Sequence, residues 1–277
     1  MASTPLITLN DGVTIPQLGF GVWQIPDEEV AEKVRVALEA GYRHIDTAKA
    51  YRNESGVGEA LRSSGLARDD IFVTTKLWNT DQGYDSTLAA FDGSMERLGL
   101  DVLDLYLIHW PQPMFDDYLD TWKAMVKLKE DGRIRSIGVS NFLPEHLDKI
   151  IGETGVVPSV NQIEVHPRFQ QRELRAFCAE KGIAVEGWSP LGRGNMLEDP
   201  SITAIASAHG KTAAQVVIRW HLQHGNILFP KSVTPSRIRE NFEVFDFELS
   251  ADQIAALDAM DDPEGRTGPN PATFDLR

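Results

Sequence analysis

The chain has one cysteine, Cys178, in 277 residues, so an internal disulfide and a CxxC metal site are both excluded. Cys178 falls in the apolar-periodic stretch Leu174-Arg175-Ala176-Phe177-Cys178 and reads as a buried helical thiol. No segment stays apolar long enough to span a bilayer, and Met1-Ala2-Ser3-Thr4-Pro5 has no basic region leading into an apolar one. Positive charge is in deficit: 27 Lys and Arg stand against 41 Asp and Glu, a formal net charge of -14, so no surface field draws the chain to phosphate backbones or anionic lipid. Nucleic acid and membranes are not expected partners, and the expected location is the cytoplasm. Ser/Gly-rich linkers, charge blocks and compositional breaks are missing too, which leads us to expect one domain over residues 1–277.

What is present is a regular alternation. Leu6 to Leu9, Asn10-Asp11-Gly12 and Val13 to Ile15 read as a β-hairpin, because Asp-Gly supplies the positive φ a tight connection needs. Eight short β-branched or aromatic runs follow, near Gly19 to Val22, His44 to Asp46, Ile71 to Lys76, Leu103 to His109, Ile134 to Val139, Val160 to Ile163, Ile183 to Trp188 and Ile227 to Pro230. Amphipathic stretches lie between them: Asp27 to Ala40, Gly56 to Ser63, Tyr84 to Leu98, Tyr118 to Glu130, Glu145 to Glu153, Arg172 to Lys181 and Ala213 to Gln223. Thr212 with Gln215 and Ser250 with Gln253 form capping boxes that mark two late helix starts. Eight strand-helix units in roughly 250 residues predict an α/β fold, a (β/α)8 TIM barrel with an N-terminal β-hairpin and extra helices. The alternative, an open doubly wound sheet, normally carries GxGxxG after its first strand. Here Gly19-Phe20-Gly21 continues into Val22-Trp23-Gln24, without the third glycine.

In a barrel, chemistry sits at the C-terminal strand ends. Those ends carry Trp23, Asp46, Lys76 with Trp78, His109 with Trp110, Ser140 with Asn141, Gln162, Trp188 with Ser189, and Lys231 with Ser232. An acid, a base and an imidazole there converge only if their strands lie side by side, and Tyr51 follows the first of them. A cation beside a phenol favours phenolate, which is expected to lower the pKa of Tyr51 from its usual value of about 10 and make it a better proton donor.

These signals resemble the aldo-keto reductase family along nearly the whole chain. They are Gly41-Tyr42-Arg43-His44-Ile45-Asp46-Thr47-Ala48 leading to Tyr51, Thr75-Lys76-Leu77-Trp78, Leu107-Ile108-His109-Trp110-Pro111, Gly138-Val139-Ser140-Asn141-Phe142, Asn161-Gln162 and Pro230-Lys231-Ser232. Trp188 before Ser189-Pro190-Leu191 is most similar to the prokaryotic branch that includes the 2,5-diketo-D-gluconate reductases. The resemblance implies a monomer that uses NADPH to reduce carbonyl compounds, with Tyr51 as general acid, Lys76 and Asp46 tuning it, and a neutral His109 orienting the carbonyl. It implies that Ser140, Asn141 and Gln162 hold the nicotinamide carboxamide, that Trp188 stacks on the ring, and that Ser189, Leu191 and Gly192 belong to the segment closing over the pyrophosphate. Lys231, Ser232, Val233 and Arg237 would take the adenosine phosphate, and Glu240 and Asn241 the adenine. Trp23, Trp78, His109, Trp110 and Phe274 would line the substrate pocket.

Each residue alone admits an ordinary reading: Asp46 and Lys76 as a structural pair, His109 as a core histidine, Tyr51 as a rim tyrosine, Glu240 as part of a solvated helix face. Two rival functions stand beside the reductase. One is a non-catalytic NADPH-binding or sensing barrel. The other is a metal-dependent hydrolase or isomerase, for which His221-Leu222-Gln223-His224 and Glu164-Val165-His166 bring ligand types close together, although the former is expected on an outer helix and lacks a third ligand. The loops Asn79 to Asp85 and Gln112 to Asp117 and the tail from Gly265 contain no residue set that specifies one substrate.

Overall fold

The structure is a computed structural model and describes residues 4–277; the first three residues, read above for a leader, lie outside the described residues. Strands β1 (Leu6–Thr8) and β2 (Thr14–Pro16) form the antiparallel hairpin. Eight parallel strands follow: β3 (Phe20–Gly21), β4 (His44–Asp46), β5 (Phe72–Leu77), β6 (Leu103–Ile108), β7 (Ile134–Ser140), β8 (Val160–Glu164), β9 (Ala184–Trp188) and β10 (Ile227–Leu228), each hydrogen-bonded to the next in chain order. Leu18 pairs in parallel with Leu228, where Gly19 N donates to Leu228 O at 2.9 Å and Leu228 N to Gln17 O at 3.0 Å. These bonds close the sheet into a barrel.

The helices are α1 (Asp27–Ala40), α2 (Glu54–Ser63), α3 (Tyr84–Leu98), α4 (Tyr118–Glu130), α5 (Pro144–Thr154), α6 (Arg172–Glu180), α7 (Pro200–His209), α8 (Ala213–Gln223), α9 (Pro235–Glu240) and α10 (Ala251–Asp258). α1 buries Val30, Val34, Ala37 and Leu38 and stops where Gly41 takes a φ of 117°, a conformation that costs a glycine little. Both expected capping boxes form at α8 and α10.

Three details differ from the sequence expectation. α2 begins at Glu54 rather than Gly56, because buried Asn53 anchors its start by donating to Val22 O and Ile25 O. α7 was not foreseen, although Asp199 caps it by accepting from Ser201 N, Pro200 opens it and Gly210 ends it. His221 does lie on an outer helix, but it faces inward: fully buried, its Nε2 lies 3.1 Å from Pro190 O, whereas His224 turns to Asp258. The two histidines therefore share no site. Among the described residues no group of three or more His, Cys, Asp or Glu is placed to hold a metal ion.

Strand alternation sorts the side chains into two layers. Along β5, Val73 and Leu77 join the apolar layer shared with the helices, while Phe72 packs in the smaller cluster with Leu105, Leu107, Val160, Ile227 and Phe229 in the bore. The hairpin adds Leu9 and Ile15 to that inner cluster, and Asp11 accepts from Lys129 and Ser136. One end of the bore is thereby sealed with apolar packing. The C-terminal strand ends open at the other.

Candidate active site

Thr74 and Lys76 continue the inward row begun by Phe72, and Leu105, Leu107 and His109 form the matching row from β6. The same parity brings Asp46 in from β4 and Gln162 from β8. Lys76 is fully buried, and its Nζ donates to Asp46 Oδ1 at 2.7 Å, Asp46 Oδ2 at 2.8 Å and Thr47 O at 2.9 Å. Tyr51 ends a single 3-10 turn, Lys49–Tyr51, which stops where Arg52 enters the left-handed region at a φ of 57°. That turn sets the phenol oxygen 3.5 Å from Lys76 Nζ. The His109 ring stands edge-on to Tyr51 at 5.8 Å and to Trp78 at 5.3 Å between centroids. The four expected catalytic groups thus meet at one mouth.

The electrostatics agree with the sequence expectation for two of these groups and correct it for the third. Burial works against the Lys76 ammonium, but Asp46, Tyr51 and Glu186 outweigh it and hold its pKa above the usual lysine value. Burial, and then the Lys76 charge, push His109 well below the ordinary histidine value, so its imidazole is neutral. Tyr51 was expected to be lowered by Lys76. Lys76 does pull it down, but the cost of burying a phenolate is larger, and the net shift is upward. The phenol therefore keeps its proton at neutral pH, as a proton donor must.

Above this floor lies a cavity of about 1200 Å³ lined by Trp23, Asp46, Tyr51, Trp78, His109 and Trp110 on one side. Ser140, Asn141, Gln162, Trp188, Ser189 and Leu191, from the later strands, line it too, together with Lys231 and Arg237. Ser140 Oγ donates to Gln162 O at 2.8 Å, and Asn141 Nδ2 to His109 O at 3.0 Å. The indole Nε1 of Trp188 donates to Asn141 Oδ1 at 2.9 Å, which fixes the plane of the ring. Gly268 packs on that indole so closely that a Cβ there would lie 2.3 Å from Cη2. Phe274 reaches in from the tail and meets Trp110 at 4.4 Å between ring centroids.

Five expected cofactor residues lie outside the cavity lining: Gly192, Ser232, Val233, Glu240 and Asn241. Gly192 is buried against His166, although its neighbours Arg193 and Gly194 do line the cavity. Ser232 Oγ accepts from Thr234 N at 3.1 Å, and Val233 is exposed beside it. Glu240 accepts from Thr212 Oγ1 at 2.9 Å, and Asn241 is buried at the end of α9.

Two features of the site went unread in the sequence. Glu186, two residues before Trp188, is fully buried beneath Gln162, and burial with the nearby Asp46 charge pushes its pKa up to about 8. Its signal was an acid at an inward position of β9, on the same parity as Trp188. The second is a tail latch: Leu276 O accepts from Asn79 Nδ2 at 2.7 Å and Gln112 Nε2 at 2.9 Å. Glu164 steadies the same tail by accepting from Thr267 N at 2.7 Å and Gly268 N at 3.0 Å. No local pattern announces contacts between segments this far apart.

The aldo/keto reductase family profile matches residues 17–262. The chain belongs to the aldo/keto reductase family. It is 61% identical over 273 residues to an aldo-keto reductase of Mycolicibacterium smegmatis, covering 99% of both chains. It is 52% identical over 276 residues to the methylglyoxal reductase DkgA of Yersinia pestis, again with 99% of both covered. Among solved structures, that of a Gox0644 mutant in complex with NADPH superposes with a TM-score of 0.96 at 53% identity, covering 99% of this chain and 100% of that one. The barrel, the hairpin at one end and the polar mouth at the other are therefore those of an aldo/keto reductase.

Proposed function

We propose that this aldo/keto reductase converts aldehydes and ketones to alcohols with NADPH, Tyr51 giving its proton to the carbonyl oxygen. The observation that carries the reading is the Tyr51 hydroxyl held 3.5 Å from the buried Lys76 ammonium at the floor of a cavity walled by tryptophans. A bound NADPH supplies hydride to the carbonyl carbon. The residues present fit that molecule: hydroxyl and amide groups of Ser140, Asn141 and Gln162 suit a carboxamide, which both donates and accepts, and the Trp188 face suits a planar ring. Lys231 and Arg237 also line the cavity, and two cations there suit the 2′-phosphate that distinguishes NADPH from NADH.

His109, being neutral, can donate to the carbonyl oxygen and orient it toward Tyr51 without competing as an acid. As the phenol proton leaves, the Lys76 charge stabilises the phenolate, and Asp46 keeps that charge in place. The proton is afterwards restored to Tyr51 from solvent at the open mouth.

Trp23, Trp78, Trp110 and Phe274 make a wall that accepts small dicarbonyls such as methylglyoxal, sugar-derived diketones and aryl aldehydes. The test is loss of NADPH absorbance across a panel of these three classes. Turnover on at least one class, unaffected by a chelator, supports the reading. Cofactor binding without turnover on any class would favour a non-catalytic binder, and turnover abolished by the chelator and restored by a divalent ion would favour a metal enzyme.

A further inference from the structure

Glu186 is a fully buried carboxyl whose one effect described above is to help keep the Lys76 ammonium charged. On β9 it is in register with Gln162 of β8 on one side and Ile227 of β10 on the other. Its Oε2 accepts from Gln162 Nε2 at 2.8 Å, while its Oε1 has no partner. The same Gln162 nitrogen donates to Asp46 Oδ2 at 3.0 Å. One amide nitrogen is thus shared by two carboxyl groups, one from each side.

That arrangement decides which end of the amide faces the mouth. An amide nitrogen carries two hydrogens and only donates, whereas its oxygen only accepts. Turning Gln162 over would set its oxygen against the Asp46 carboxylate, which has no hydrogen to give, and would leave both amide hydrogens without these acceptors in a buried place, where each lost bond costs most. With both hydrogens spent below, Oε1 is the end left for a ligand, and Gln162 lines the cavity. Asp46 alone would not fix this as firmly, since it also receives Lys76 at both oxygens.

We propose that Glu186 is a positioning residue for the cofactor: by accepting from Gln162 Nε2 it holds Gln162 Oε1 toward the mouth, as the acceptor for the N–H of the nicotinamide carboxamide. The inference rests on the reading of Gln162 as a nicotinamide contact. It also explains why a carboxyl is retained in the bore next to Asp46, where an apolar residue would be easier to bury.

The experiment titrates the full chain, the Glu186→Met variant and the Glu186→Gln variant with two ligands, followed by protein fluorescence. One ligand is NADPH; the other is adenosine 2′,5′-bisphosphate, which keeps the phosphate end and lacks nicotinamide. Glu186→Met removes the acceptor at similar length and is expected to weaken NADPH about tenfold while leaving the bisphosphate within about twofold. Glu186→Gln keeps an acceptor oxygen and is expected to recover most of the NADPH affinity. Should the methionine variant not fold, Glu186→Leu serves in its place. NADPH affinity unchanged in the apolar variant, equal losses for both ligands, or a glutamine variant as weak as the apolar one would each overturn the proposal. A parent chain that binds the bisphosphate but not NADPH would instead overturn the nicotinamide reading on which it rests.

Discussion

On the floor of the mouth, Lys76 has no exposed surface and its ammonium is bound to Asp46 and Thr47 by three contacts under 3 Å. At the rim, Trp23 is 42% exposed and is met only loosely by the Arg193 guanidinium, 5.8 Å from its ring centroid. The floor comes from strand ends packed side by side, and the rim from loops and a tail tied down at a few points such as Leu276 O and Gly268 N. The floor can thus hold its groups in reacting geometry before any ligand arrives, while the rim can be reshaped at little cost to stability. In the proposed function, chemistry belongs to the first region, and choice of substrate to the second.

The sharpest way to break that division is Tyr51→Phe. It should lower carbonyl turnover by roughly 10² to 10⁴ while NADPH affinity stays within about threefold; a similar loss from Trp23→Ala would erase the contrast. Stability divides the two regions in the same way. Asp46→Ala strands the buried Lys76 charge and should cost about 3–5 kcal/mol in urea unfolding, whereas Asp81→Ala breaks the partly exposed pair with Lys49 and should cost less than about 1 kcal/mol.

Glu186 adds a pH dependence to the floor. Its pKa is raised from 4.5 to about 8 in the folded chain, so between those values the folded state binds more protons than the unfolded one. The stability it contributes is present below about 4.5 and lost as pH rises through about 8. Against Glu186→Gln, the parent should therefore lose stability over that window in pH-resolved unfolding. The smallest expected effect belongs to the rim: Asn79→Leu removes one donor from Leu276 O and should raise the carbonyl KM by about fivefold, with kcat changed by less than about twofold.

Much of the fold was legible because local signals coincided with long-range ones. Asp27–Ala40 ends at Gly41 where the apolar stripe ends, and Phe72–Leu77 is a short run rich in β-branched residues, buried throughout, as befits a strand packed on both faces. α7 has a weak sequence signal because Pro200–His209 mixes Ala and Ser with two isoleucines, which gives no broad apolar stripe, so that only Asp199-Pro200 and Gly210 mark its ends. In the site, Asp46, Lys76 and His109 were readable as polar residues closing apolar runs. Glu186 was not, because it lies inside its strand and its environment comes from Gln162 on the neighbouring strand and Asp46 across the bore, both of which adjoin it only in the assembled barrel. The direction of the Tyr51 shift escaped for the same reason: the pull of Lys76 follows from residue types, but the depth of burial that outweighs it does not.

The most direct test of the central claim, that this floor carries out hydride reduction with Tyr51 as the acid, follows deuterium from NADPH dideuterated at nicotinamide C4 into methylglyoxal, with saturating cofactor. The parent chain should place the label on the carbinol carbon, and Tyr51→Phe should form the same labelled product at least about a hundredfold more slowly. Unlabelled alcohol from the parent, or equal rates from both chains, would contradict it.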